Sequence, residues 1–229
     1  MQIKSTAYSS PYLCDPSTTA CFSGHRPEKM SHIIGSTVGM QAFKSIVYLH
    51  VHEAYEAGYR TFITGMARGF DIIAAQVVLD YKRRFSVREN IRLIAVSPFA
   101  DEILNRHDND LYDYNSVLEA CDDVIYVRRD YHKSCFHVRN RFMVDNSSLL
   151  ISACLDEKSG TGSTIKYARK KGLRVDNIAL GVFGDMSDMH YEIPEVMIFN
   201  EHRKGTVTYV NLPHPFSPSN DTQDNEKKQ

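Results

Sequence analysis

Two patterns make this chain a doubly wound α/β domain, with a mainly parallel sheet and helices on both of its faces. Short runs that are apolar almost without a break, such as Ile91-Arg92-Leu93-Ile94-Ala95-Val96 and Leu149-Leu150-Ile151, alternate with segments of helical periodicity. Strands covered on both faces give the first pattern and crossover helices give the second. Three of the strand-like runs also end in glycine-bearing turns: Ser23-Gly24-His25-Arg26, Thr64-Gly65-Met66-Ala67-Arg68-Gly69-Phe70-Asp71 and Ser159-Gly160-Thr161-Gly162-Ser163-Thr164. In a parallel sheet all strand-to-helix turns lie on one side, so turns far apart in sequence can meet.

Taken in order, residues 1–17 hold Pro11, Pro16 and several serines and read as an irregular leader. Thr18-Thr19-Ala20-Cys21-Phe22 is the first strand. Met40, Phe43, Val47, Val51 and Ala54 recur at spacings of three and four, which places them on one helical face, and Gly58 is the stop. Residues 60–64 form a second strand; Ile73, Ala74, Val77, Val78 and Tyr81 are the apolar stripe of the next helix. The third strand, 91–97, ends at Pro98, whose ring holds the preceding residue extended. A polar helix over about 105–120 leads to a strand over 123–127. A basic loop, a helix near 136–146, a strand over 149–153, the third glycine turn and a helix ending at Lys170-Lys171-Gly172 follow, and 173–178 is a last short strand. The domain therefore spans 18–181. Segments 195–199 and 206–210 predict a hairpin-like appendage within an extension over 182–216, and 217–229, without aliphatic or aromatic side chains, predicts a disordered tail.

Composition narrows the function classes. With 229 residues, 42% apolar and 24% charged, the chain has room for one main core and a tail. A net charge of −1 gives no overall electrostatic footprint for nonspecific DNA or anionic membranes. The apolar runs are too short for a membrane helix, and the first residues lack a secretory apolar core, so a cytoplasmic location is expected. The five cysteines are odd in number and lack zinc or redox spacing; reduced thiols are expected, with Cys21 and Cys154 inside central strands. His50 and His52 stand two apart on a helix and cannot share a metal, though one should border the core. No metal site is expected.

The turns carry the chemistry. Helix N-termini present N–H groups and partial positive charge, which suits a phosphate. In the second turn, Gly65 and Gly69 permit close backbone approach, Arg68 adds charge, and Asp71 can cap the helix or accept from a ribose hydroxyl. The third turn, Gly160 to Thr164, adds hydroxyls ahead of a helix, with Thr161, Gly162 and Thr164 as contacts; it lacks the Gly-Lys-Ser/Thr ending of a P-loop, and N-capping by Ser163 or Thr164 is an alternative that can hold at the same time. In a strand order 3-2-1-4-5 the first strand lies beside the switch point, which makes Ser23, Gly24, His25 and Arg26 further candidates. Arg139, Asn140 and Arg141 open the helix before the fifth strand, where an anion would offset two arginines at a positive dipole end; pairing with Asp145 is the alternative. Asp71 and Glu157 are weak candidates for an acid or base. The cluster Lys166, Arg169, Lys170, Lys171 and Arg174 reads as a solvated helix end.

Together, Cys21-Phe22-Ser23-Gly24-His25-Arg26-Pro27, the turn from Thr64 to Asp71, Arg139-Asn140-Arg141 and the turn from Ser159 to Thr164 resemble the SLOG superfamily, in particular its YpsA-like branch. The resemblance runs from about residue 18 to 178 and implies a Rossmann-like fold that binds a nucleotide or nucleotide-derived ligand, ADP-ribose types included, as a sensing or regulatory module. Two sister branches are similar in part. The DNA-processing protein A family has a like second turn and Arg-Asn-Arg segment and binds single-stranded DNA, which implies a basic groove with Arg139 and Arg141, although its amino-terminal motif differs. The cytokinin-activating phosphoribohydrolases use a proline-led glycine turn followed by glutamate, and this chain lacks both the proline and the glutamate. Three expectations follow: a nucleotide-binding module, a nucleotide hydrolase cleaving an N-glycosidic or phosphoester bond, or a single-stranded DNA binder. A homo-oligomer is compatible with each.

Overall fold

The computed structural model describes residues 14–84, 90–100 and 108–186. Six strands form one sheet: β1 (Thr19–Gly24), β2 (Thr61–Thr64), β3 (Arg92–Ser97), β4 (Asp123–Tyr126), β5 (Leu149–Ala153) and β6 (Arg174–Asn177). All neighbours are parallel, in the order β4-β3-β2-β1-β5-β6. The helices are α1 (Ser31–Ile34), α2 (Thr37–Glu56), α3 (Phe70–Arg84), α4 (Asp108–Ala120), α5 (Cys135–Asp145) and α6 (Gly160–Lys170). The doubly wound α/β reading holds. The expected hairpin and the tail beyond it lie outside the described residues, as does the leader before Cys14.

The strand order needs one correction. The fourth strand does not cross to the far side of β1 but continues outward beside β3, and the fifth strand takes the place at β1. Right-handed crossovers that step in one direction keep their helices on one face, so the leap from β4 back to β5 is what moves the chain to the other face. α2 therefore packs on α3 and α3 on α4, while α5 packs on α6. β4 reads as an edge from its own residues: all four are only half-buried, and Arg92 of β3 holds Asp123 at its start. The switch point lies between β1 and β5, so β1 keeps the position expected of it by another route.

Strand alternation sorts the core into two layers. Ala20 and Phe22 of β1, Phe62 of β2, Leu93 of β3 and Ile151 of β5 face α2, α3 and α4; Cys21, Ile63, Ile94 and Leu150 face α5 and α6. On the first face four phenylalanines meet. Phe22 stacks on Phe62 with centroids 6.0 Å apart, and Phe70 sits edge-on to both Phe22 (6.2 Å) and Phe43 (6.1 Å). Full burial of each such ring contributes about 1.5–3 kcal/mol, which ties the start of α3 to the sheet just below its C-terminal edge.

Helix boundaries follow local chemistry. Ser36 caps α2 by accepting from the Gly39 N–H, and α2 closes where expected, with the Gly58 N–H donating to Tyr55 O and the Tyr59 N–H to Ala54 O. His52 borders the core and meets the buried Tyr81 hydroxyl through Nδ1 at 2.8 Å. Cys21 lies in β1 as expected, and burial pushes its thiol up to about 12. Cys154 stands one residue beyond β5, not inside it. All five cysteines are free. Among the described residues no group of His, Cys, Asp and Glu could hold a metal, and no helix is long and apolar enough to cross a membrane.

Candidate functional site: a sheet edge tied across three turns

The three glycine turns do converge at the C-terminal edge of the sheet, and side chains tie them to one another. The Thr161 hydroxyl, from the third turn, donates to Gly24 O at 2.9 Å. His25 Nε2 accepts from the Leu155 N–H at 2.8 Å and the Asp156 N–H at 3.3 Å, which joins the first turn to the segment after β5. From the second turn, the Phe70 N–H donates to His25 O at 3.2 Å. Gly69 makes that junction with φ of +84°, and a Cβ there would stand 2.7 Å from His25 O, so this position needs glycine on both counts.

Beneath the turns lies a buried charge network. Asp71 Oδ1 accepts from the Gly24 N–H at 3.2 Å, and its Oδ2 stands 3.6 Å from Arg139 Nη1. The same guanidinium nitrogen donates to Gly65 O. The two side chains are 4% and 7% exposed. A Cβ on Gly65 would stand 2.6 Å from Asp71 Oδ2 and would collide with Arg139, so the absence of a side chain there is what admits the arginine. Thr64 completes the arrangement: its hydroxyl donates to Asp71 O at 2.9 Å and accepts from the Met66 N–H.

This geometry alters several expectations. Asp71 does not act as an N-cap; its carboxylate faces β1 and Arg139. Arg139 does not open a helix, because α5 begins at Cys135, and its acidic partner is Asp71, not Asp145. Asp145 instead receives Lys171 at 2.7 Å and the Tyr167 hydroxyl at 2.9 Å. The third turn is not a loop before a helix. Gly160 to Thr164 form the first turns of α6, capped by Ser159, whose hydroxyl accepts from the Gly162 N–H at 3.1 Å. That displaces the capping role expected of Ser163 or Thr164; the Thr164 hydroxyl donates to Gly160 O and accepts from Asn140 Nδ2 at 2.8 Å.

His25, 3% exposed, is held inside the edge. Burial first, then the nearby Lys29 charge, lowers its pKa below the ordinary histidine value, against a smaller opposing pull from Asp156. A neutral ring with Nε2 as acceptor carries its proton on Nδ1. Ser23 and Thr161 are buried, and Arg26 and Gly160 are exposed. Two ion pairs run over the rim: Arg68 to Glu28 at 3.2 Å and Lys29 to Asp156 at 2.8 Å. Glu157 is exposed beside the third turn.

Asn177, at the end of β6, had no place in the sequence reading. Its Oδ1 accepts from the Cys154 N–H at 3.0 Å and the Ser152 hydroxyl at 2.9 Å, and its Nδ2 donates to Cys154 O at 3.1 Å. It fixes the exit of β5 and so the entry to the third turn. An amide side chain closing a short strand was the only sequence signal available.

An all-parallel sheet with its strand-to-helix turns gathered at one edge, beside a reversal of strand order, defines a Rossmann-like domain. The chain belongs to the YspA SLOG family (YpsA), whose model matches residues 20–179. UPF0398 proteins of Bacillus thuringiensis (strain Al Hakam) and Bacillus cereus (strain AH187) are each 23% identical to it over 171 residues, covering 72% of this chain and 91% of theirs. Among solved structures, DNA processing protein A from Helicobacter pylori, described for its single-stranded DNA binding mode, matches with a TM-score of 0.46 and 22% identity over 71% of this chain. The Streptococcus pneumoniae DNA processing protein A matches with a TM-score of 0.44 and 15% identity over 70% of this chain. This chain spans 65% and 50% of those two structures, a degree of likeness that assigns no activity.

Proposed function

We propose that this chain binds a nucleotide or nucleotide-derived ligand at the edge where the three turns meet, as a sensing module. One observation carries the reading: the Thr161 to Gly24 and His25 to Leu155 hydrogen bonds draw turns from distant parts of the chain to one edge beside the switch point. The N-termini of α3 and α6 approach that edge with their positive dipole ends, which favours a phosphate. With the His25 ring turned inward, contacts to the rest of the ligand fall to Arg26 and to Arg68, which would exchange its partner Glu28 for the phosphate. Asp71 is occupied within the buried network, which gives a hydrolytic role little support.

Calorimetry of the full chain against AMP, NAD and ADP-ribose tests this. Saturable binding of at least one is expected, weakened about tenfold or more by Gly69→Asp, which adds both strain and negative charge; tenfold corresponds to about 1.4 kcal/mol. A folded protein that binds none of the three overturns the reading. Incubation followed by product analysis separates sensing from hydrolysis, and an intact ligand is expected.

A second reading, single-stranded nucleic acid, is favoured by the segment between β4 and α5. Arg128, Arg129, His132 and Lys133 are exposed there near Tyr131, itself 65% exposed, with Asp130 between them, and an exposed ring close to two arginines and a lysine can stack a base while phosphates are held. Arg139 cannot take part, since it is buried against Gly65 and Asp71. Gel-shift titration with an oligonucleotide over a salt series decides it: affinity that falls steeply with salt supports this reading, and none at low salt removes it.

A further inference from the structure

We propose that the groove between α5 and α6 is a second anion site, separate from the turn edge, that takes a short oligophosphate chain. The groove is a cavity of about 300 Å³ lined by His137, Asn140 and Arg141 of α5 and by Ser163, Lys166 and Lys170 of α6, with Thr164 and Tyr167 completing the wall. Three permanent cations and a histidine thus face one space whose lining contains no carboxylate.

These four share one cavity and have no counter-charge within it. By contrast, Lys29, Arg68, Lys82, Arg92, Lys171 and Arg174 each hold a carboxylate. Among the described residues no carboxylate stands within ion-pairing distance of Arg141, Lys166, Lys170 or His137. The one acid close by, Asp145, is already engaged by Lys171 and by the Tyr167 hydroxyl. Those bonds fix the Tyr167 ring, and the Arg141 guanidinium lies 5.4 Å from its centroid. Stacking of this kind orders an otherwise free side chain and turns it toward the groove.

Geometry sets the size of the occupant. Ser163, Lys166 and Lys170 climb α6 in steps of three and four, so they share a face over about 10 Å at 1.5 Å per residue. His137 and Arg141 stand one turn apart on α5 and face them. The first turn of α6 adds the positive end of its dipole near Ser163 and Thr164. A span of this length and three permanent positive charges match two or three linked phosphates. An extended nucleic-acid strand would need a longer track of charge.

Inorganic triphosphate titrated into the full chain by calorimetry at low salt is the test, with thermal melting of each variant as the check on folding. Saturable binding is expected, at least tenfold weaker in Arg141→Ala/Lys170→Ala and largely kept in Arg141→Lys. Orthophosphate should bind at least tenfold more weakly than triphosphate. Any binding of AMP at the turn edge should be unaltered by the double substitution, so loss of the turn-edge reading leaves this one standing. Absence of triphosphate binding, equal affinity in the double variant, or binding of a single-stranded oligonucleotide without triphosphate would each overturn it.

Discussion

The turn edge and the α5–α6 groove lie side by side and share α6, yet they treat polar groups in opposite ways. At the edge, charge and hydrogen-bonding capacity are consumed internally: Asp71 by Gly24 and Arg139, His25 by Leu155 and Asp156, Thr161 by Gly24. In the groove, three permanent cations and a histidine converge without carboxylates. Polar side chains that look alike in sequence can therefore build the platform or face solvent, and burial separates the two roles. Arg139 and Arg141, two residues apart on α5, show it best: one is buried against a carboxylate and the other is exposed over Tyr167.

The sharpest way to break this contrast is at the buried pair. Asp71→Ala leaves Arg139 charged and without its carboxylate, and should destabilise the fold by about 3–5 kcal/mol in urea titration. A loss below about 1 kcal/mol would mean that the edge is not held from within. Gly65→Ala comes next. Its methyl group would press on Asp71 and Arg139, and overpacking of this kind costs about 1–3 kcal/mol, read in the same titration. Thr161→Val keeps the shape and removes the bond to Gly24, for an expected loss of about 0.5–1.5 kcal/mol.

His25 makes the contrast depend on pH. Its folded pKa lies below the ordinary value of about 6.5, so over the interval between the two the unfolded chain binds more protons than the folded one. Stability should fall as pH drops through that interval and level off below the folded value. His25→Gln should flatten this slope in melting curves taken across pH 5–7, and an unchanged slope would assign it to other groups. The smallest effect belongs to the groove. Arg141→Ala should shift stability by less than about 0.5 kcal/mol, as expected for an exposed side chain that forms no ion pair among the described residues.

Most of the fold was legible from the chain, because hydrophobic periodicity reports burial directly. The face of α2 from Met40 to Ala54 and the β5 run both form as read. Strand order was less legible. Nothing in Asp123-Val124-Ile125-Tyr126 says which side of the sheet it will join, since either side satisfies its backbone. At the site, the three turns were legible through their glycines, but the partners of Asp71, Arg139 and His25 lie 47, 74 and 130 residues away. Helix spacing placed Asp145 one turn after the Arg139-Asn140-Arg141 segment, and only the packing of α5 against β1 and β3 brings Arg139 to Asp71. Tyr167 and His137 carried no motif, and the groove they line exists only once α5 and α6 lie together.

The position of β1 bears on how the chain comes off the ribosome. One edge of this central strand meets β2 early, but its other partner, Leu149–Ala153, is separated from it by about 125 residues. At about 5–20 residues per second, translation needs roughly 6–25 s to supply it. During that interval Ala20, Cys21 and Phe22 present an open strand edge next to an uncovered apolar face, the kind of surface that invites wrong pairing. Synthesis of β5 therefore supplies the partner that covers this edge of β1 in the sheet.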